Sequence, residues 1–339
     1  MTLDSDLKAS APKRVMSGMR PTGRLHLGHY WGVLKNWESL QAQYDCFFMV
    51  ADWHALTTRY DQTADLRAHT RDMLADWLAA GVDPARATVY VQSSVPEIAE
   101  LSLILGMLTP LPWVQGDPTL KDMVKMLHEE LNYGLLGYPV LQTADILAMR
   151  GDLVPVGKDQ LAHLEISRDI ARRFNHVYQR DYFPEPRPLL TQQPLMMGLD
   201  GAKMGKSAGN AILLSDDADE TCRKIRTAIT DPARQRRQDP GDPEQCQVVF
   251  KYYPLFAPPD AVEQTAAECR SAARGCVDCK KLLAEYLNET LRPIRERRRT
   301  LADDPGELDR LLRAGGEKAR AVASDTLRGV REAVQLPTF

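Results

Sequence analysis

Apolar positions in the first two hundred residues alternate between two patterns. Short apolar runs, VMSGM (15–19), CFFMVAD (46–52), ATVYVQS (87–93) and DLVPVG (152–157), have the length of strands, and the longer ones read as buried. Between them lie stretches of helical period. In residues 63–81, Leu66, Met73, Leu74, Trp77 and Leu78 recur at helical spacing and Gly81 stops the run. A second such stretch, QLAHLEISRDIARRF (160–174), follows the last strand. Strand–helix–strand alternation predicts a parallel sheet covered by helices on both faces, with ligands at the carboxyl ends of its strands. After about residue 212 the strand pattern fades. Residues 216–230, 276–301 and 316–336 read as helices, and 231–245 as a turn-rich loop. The expected organisation is a flexible tail over 1–12, an α/β domain over 13–212 and an all-helical domain over 213–339.

A chain of 339 residues with 44% hydrophobic and 26% charged positions has ample material for a core and the composition of a soluble globular protein. It contains no apolar run long enough to span a membrane, and MTLDSDLKASAPKR lacks the apolar segment of a secretory leader. A cytoplasmic location is expected, and with it reduced cysteines or metal ligands rather than disulfides. A net charge of -3 leaves nucleic-acid binding open, because a local basic face suffices.

Two constellations carry chemistry. PTGRLHLGHY (21–30) is a glycine-bracketed turn that opens into a helix, with His26 and His29 able to face one side and Gly28 permitting close backbone approach. Alone, this HxGH is as well explained by a capped helix start. KMGKS (203–207) sets Lys203 and Lys206 three apart in a glycine-rich loop, suited to closing on a polyphosphate. Alone, it reads as a solvated loop. The two together, in this order and about 175 residues apart, resemble the paired motifs of class I aminoacyl-tRNA synthetases. Residues 138–175 further resemble the amino-acid pocket of tryptophanyl-tRNA synthetases, and LRPIRERR (291–298) resembles the start of their last long helical segment. The similarity runs from about residue 14 to the C-terminus.

That resemblance implies a Rossmann-like catalytic domain and a C-terminal anticodon-binding domain. It implies tryptophan activation by ATP with Mg²⁺, then transfer to tRNA(Trp) by a homodimer. Arg20, Pro21, Thr22, Gly28 and His29 would line the ATP site, with His26 beside the phosphates. Gly157, Lys158 and Asp159 would hold the adenosine end and Leu195 would pack near adenine. Lys203, Met204, Gly205, Lys206 and Ser207 would form the mobile loop on pyrophosphate, and Lys121 would add a phosphate contact. A tyrosyl enzyme of the same subclass, or a paralogue without catalysis, are the rival readings.

Asp145 is expected to read the substrate. Indole offers one donor and no acceptor, and a carboxylate in an apolar slot of Ile146, Leu147, Val154 and Val156 needs a donor. The alternative is a plain helix cap. Tyr138 and Gln160 resemble the groups that hold the substrate's amino and carboxylate ends, and Gln142 stands beside the indole. Three positions depart from the family's common pattern: His29 where Asn is usual, Gly205 where the loop has serine, and Gln142 where Met is frequent. His54 is expected either to touch substrate or to sit in the core. Cys246, Cys269, Cys276 and Cys279 form C-x22-C-x6-C-x2-C, a donor set that suits Zn²⁺ or an iron–sulfur cluster, free thiols being the third option. The arrangement resembles the 4Fe–4S motif of a subset of tryptophanyl-tRNA synthetases, which makes the cluster the expected occupant and Zn²⁺ the alternative.

Overall fold

The computed structural model describes residues 12–116, 120, 131–157, 160–190, 196–206 and 208–337. Five parallel strands, β1 (Arg14–Met19), β2 (Asp45–Val50), β3 (Ala87–Val91), β4 (Leu153–Val156) and β5 (Arg187–Leu190), form one sheet in the order β3-β2-β1-β4-β5. The chain builds outward from β1 to β2 and β3, then crosses to the other side for β4 and β5. The strand order therefore reverses beside β1, and the crevice at a reversal point is where sheets of this kind bind ligands.

The pleat sorts neighbouring residues into two cores. Val15, Cys46, Phe48, Val50 and Val89 face one side with Trp37 and Trp77, while Met16, Phe47, Met49 and Tyr90 face the other. On the first side Trp37 stacks on Phe48 at 4.2 Å between centroids and meets Trp77 edge-on at 4.8 Å. β5 was not apparent in the apolar pattern. Its four residues RPLL are mostly exposed, and Pro188 is tolerated because β5 is an edge strand.

Beyond residue 212 the described regular structure is helical: Ala218–Thr227, Val249–Phe256, Pro259–Arg270, Cys276–Ala302 and Pro305–Ala333, with a short 3₁₀ turn at Pro243–Gln245. The last helix starts earlier than its apolar period suggests, at Pro305, where Asp304 caps it by accepting the Glu307 N–H. It runs back along β3. A Cβ on Gly315 would lie 1.8 Å from the Val89 carbonyl oxygen, so only glycine lets the helix backbone come that close to the sheet. The other edge of the sheet's strand ladder is thus covered by a helix rather than left open. Among the described residues no helix is long and apolar enough to cross a membrane.

Candidate active site

The ends of β1, β2, β3 and β4 each deliver a polar group to one crevice. Arg20 follows β1, His54 lies on the helix Asp52–Arg59 after β2, Gln92 follows β3, and Gly157 follows β4. Arg20, Gly157, Tyr138, Gln142, Asp145 and Gln160 line a single cavity of about 460 Å³. Tyr138, Gln142 and Asp145 fall at i, i+4 and i+7 of the helix Tyr133–Ala148, which places them on one face. Gly18 forms part of the wall, where a Cβ would come 2.8 Å from the Met49 carbonyl oxygen. Ile146, Val154 and Val156 line the cavity as expected, whereas Leu147 is packed into the core behind it.

Asp145 is 2% exposed and both its oxygens are engaged. Oδ1 accepts the Gln92 amide at 2.8 Å, and Oδ2 lies 2.8 Å from His54 Nε2. Gln92 cannot be turned around without loss, because its Oε1 accepts the backbone N–H of Trp53 at 3.1 Å. Burial pushes the Asp145 carboxyl above its usual range, and His54 and Gln92 pull it back. Gln92 escaped the sequence reading altogether. Its signal was its place, the first residue after a buried strand. Tyr138 Oη lies 2.6 Å from His163 Nε2, and His163 Nδ1 lies 2.9 Å from Gln160 Oε1, so Tyr138 and Gln160 are tied through a histidine that sequence reasoning also missed.

The HxGH turn is shaped largely by backbone bonds. After β1 the chain turns through Pro21, Thr22 and Gly23, whose φ of 108° favours glycine. His26 Nδ1 accepts the Gly28 N–H at 3.1 Å, and His29 Nδ1 accepts the His26 N–H at 3.3 Å. With both Nδ1 atoms accepting, the proton of each neutral ring sits on Nε2. Burial, then the charge of Lys206, lowers His26 to about 4; burial, His26 and Lys206 lower His29 to about 3. Both rings are neutral donors at pH 7. Residues 30–34 continue the helix as a π turn, and Gly32 and Val33 within it reach the cavity wall.

The lysine loop lies against this turn. Lys206 Nζ donates to the carbonyl oxygens of Thr22 at 3.0 Å and Gly23 at 3.1 Å. Met204 is buried facing Gly28, while Lys203 is exposed. Gly205 donates its N–H to Asn210 Oδ1 at 2.9 Å, and Asn210, itself buried, also binds Asp200 and the Lys203 carbonyl. Backbone bonds join the turn to the segment that follows the lysine loop: Leu27 N–H to Ile212 O at 3.0 Å and Leu214 N–H to Leu25 O at 2.9 Å. Lys121, Lys158, Asp159, Leu195 and Ser207 lie outside the described residues.

Cys246, Cys269, Cys276 and Cys279 line one small cavity in the helical part together with Arg234 and Arg274. Arg234 Nη1 is 3.9 Å from the sulfurs of both Cys269 and Cys276. Burial pushes the thiols of Cys246, Cys269 and Cys279 up, Cys279 to about 11. Among the described residues no three His, Cys, Asp or Glu are gathered as a single-ion site.

The family model described as tRNA synthetases class I (W and Y) matches residues 8–292. A tryptophan–tRNA ligase of Thermotoga maritima is 46% identical over 95% of this chain and 99% of its own length. That of Aquifex aeolicus is 41% identical over 96% of this chain and all of its own. The tryptophanyl-tRNA synthetase of Campylobacter jejuni, solved with ADP and tryptophan, superposes with a TM-score of 0.88 at 32% identity, covering 95% of this chain and 100% of that one. With a parallel sheet that reverses at β1, an HxGH turn bonded to a KMGKS loop, and these relatives over nearly its full length, the chain belongs to the class I tRNA synthetases of the tryptophan and tyrosine (W and Y) family.

Proposed function

We infer that this chain joins L-tryptophan to tRNA(Trp) in two steps, through tryptophanyl-adenylate formed from ATP with release of pyrophosphate. The observation that carries the choice of tryptophan is the buried Asp145 at the wall of a cavity that also holds Arg20 and Gly157. Each oxygen of that carboxylate has one donor in the chain and keeps a lone pair for another, which a single N–H on a flat apolar ring fills, and an amino acid without that donor forfeits the contact. Tyr138 and Gln160, fixed through His163, are assigned to the amino and carboxylate ends of the substrate, and Gln142 to the indole edge.

In the first step the tryptophan carboxylate attacks the α-phosphorus of ATP, the bond to the bridging oxygen breaks, and pyrophosphate leaves. Positioning and charge stabilisation supply the catalysis. The Nε2–H groups of His26 and His29 donate to phosphate oxygens without carrying a charge of their own. Lys206 exchanges the Thr22 and Gly23 carbonyls for the leaving pyrophosphate, and the exposed Lys203 joins it. The assigned ATP contacts further comprise Arg20, Pro21, Thr22, Gly28, Gly157, Lys158, Asp159, Leu195, Met204, Gly205 and Ser207, with Lys121 on phosphate. Mg²⁺ accompanies ATP, held by phosphates and water. In the second step a ribose hydroxyl of the tRNA attacks the adenylate carbonyl and AMP departs.

The helical part, 213–339, is assigned to the anticodon end of the tRNA, and a cytoplasmic location accords with that partner. The four cysteines fit a soft, sulfur-ligated group by identity and by sharing one cavity, and the flanking guanidiniums suit an anionic cluster. The void is about 20 Å³, room for about one water, so a metal group needs the lining to open around it. We assign Cys246, Cys269, Cys276 and Cys279 to a 4Fe–4S cluster that shapes the tRNA surface, with Zn²⁺ as the alternative. A homodimer is supported by the exposed Tyr60, Leu111 and Tyr133, which line an apolar groove of about 650 Å³ beside the amino-acid cavity.

The test is amino-acid-dependent ATP–pyrophosphate exchange on anaerobically purified protein. Exchange with tryptophan, and not with tyrosine or without amino acid, is the expected result. Exchange with tyrosine overturns the assignment of the pocket.

A further inference from the structure

Asp76, on the helix Leu66–Ala79, is a fully buried carboxylate that no step above uses. Its oxygens serve two distant segments. Oδ2 accepts the Leu25 N–H at 2.8 Å, and Oδ1 accepts Nε of Arg298 at 2.5 Å. Arg298 comes from the Cys276–Ala302 helix, and its Nη2 also donates to Asp72 Oδ1 at 2.7 Å. Asp72 in turn faces Arg24 at 3.8 Å. The two residues immediately before His26 are therefore both held from the Leu66–Ala79 helix, and Arg298 backs both of the carboxylates that hold them.

Residues 25–27 are otherwise held by the backbone bonds to Ile212 and Leu214 and, at the His26 N–H, by His29 Nδ1. The backbone bonds tie the turn to the segment after the lysine loop. Asp76 ties it to the sheet's own helical cover. A lone buried carboxylate would be lost to protonation, and burial does push Asp76 up while Arg298 opposes it. The ion pair thus keeps a charged acceptor available for one backbone amide at the head of the HxGH turn.

We propose that Asp76, held by Arg298, is a positioning residue for the ATP half of the reaction: by fixing the Leu25 amide it sets where His26 and the Gly28 backbone meet the phosphates. The proposal rests on the reading that the HxGH turn meets ATP, and tryptophan-dependent exchange by the unaltered chain tests that reading separately. A merely structural ion pair would lower stability without distinguishing between substrates.

The experiment is ATP–pyrophosphate exchange with the double variant Asp76→Leu/Arg298→Met and with Asp76→Asn, alongside thermal unfolding. Replacing both partners by apolar groups leaves no orphaned charge, so the double variant separates loss of the Leu25 contact from loss of the fold. Its KM for ATP should rise about tenfold, equivalent to about 1.4 kcal/mol, with KM for tryptophan within about twofold and an unchanged Tm. Asp76→Asn still presents an oxygen to the Leu25 N–H and should keep KM for ATP within about threefold while its Tm falls. An unchanged KM for ATP in a folded double variant overturns the proposal, and so does an equal rise for both substrates. Should the double variant not fold, Asp76→Ala alone decides, because it removes the acceptor of the Leu25 N–H while Arg298 keeps its bond to Asp72: a selective rise in KM for ATP supports the proposal and an unselective or absent one overturns it.

Discussion

The cavity at Asp145 and the cysteine cavity both collect ionisable groups, yet their polar atoms are answered differently. Around Asp145 each polar atom has been answered: Gln92 and His54 occupy its two oxygens, and Gln92 is itself locked by the Trp53 backbone. Around the cysteines burial pushes the thiols of Cys246, Cys269 and Cys279 up, Arg234 Nη1 lies 3.9 Å from the sulfurs of Cys269 and Cys276, and the Nε of Arg234 is buried without a hydrogen-bond partner. One site is organised before substrate arrives. The other leaves a polar atom of its flanking arginine unanswered. The first suits discrimination, where a misplaced donor costs affinity. The second, on the reading proposed above, would take a structural group whose binding energy is spent on local folding.

The largest effect should come from altering the organised site at its centre. Asp145→Asn keeps the shape and removes the charge, and kcat/KM for tryptophan should fall by about 10²-fold or more in exchange assays while KM for ATP changes little. A smaller loss is expected one contact further out. Gln92→Leu leaves Asp145 one donor short and frees the Trp53 amide, so kcat/KM for tryptophan should drop by about tenfold, again without an ATP effect. If ATP and tryptophan suffer equally, Gln92 only stabilises the fold. The contrast sharpens at the cysteines, where Cys276→Ser should lower iron content and tRNA charging and leave adenylate formation intact. Charging at the unaltered rate would remove the cysteines from the tRNA surface.

The smallest effect concerns pH. His26 and His29 are lowered to about 4 and about 3 in the folded chain from an ordinary 6.5. The unfolded chain therefore binds more protons between those values, and the stability these rings allow at neutral pH is lost as pH falls through that window. Tm should decline from about pH 6.5 towards pH 4, and less steeply in His29→Asn. A Tm that is flat across the window would show the rings to be more solvated than their burial indicates.

How much of this could be read from the chain follows from what each feature depends on. β2, β3 and β4 are short apolar runs and β1 a broken one, so the strands were legible, whereas Tyr138, Gln142 and Asp145 were named by resemblance and the helix Tyr133–Ala148 sets them on one face. β5 was hidden because an exposed four-residue edge strand with Pro188 has neither apolar run nor alternation. The partners of Asp145 were hidden for another reason. His54 and Gln92 lie 91 and 53 residues from it in sequence, and only the sheet's parallel register brings the ends of β2 and β3 to the same crevice. The packing of the last helix against β3 likewise depends on Gly315 meeting Val89, a contact no local pattern encodes.

The most direct test of the central claim, that Asp145 selects the substrate through the indole N–H, is exchange with an analogue in which sulfur replaces the ring N–H of tryptophan. The shape is nearly kept and only the donor is lost. With the unaltered enzyme kcat/KM should fall by about 10²-fold relative to tryptophan, the loss of one donor to a buried carboxylate that keeps Gln92 and His54. A ratio below about tenfold, the range expected of shape and apolar contact alone, would contradict the account.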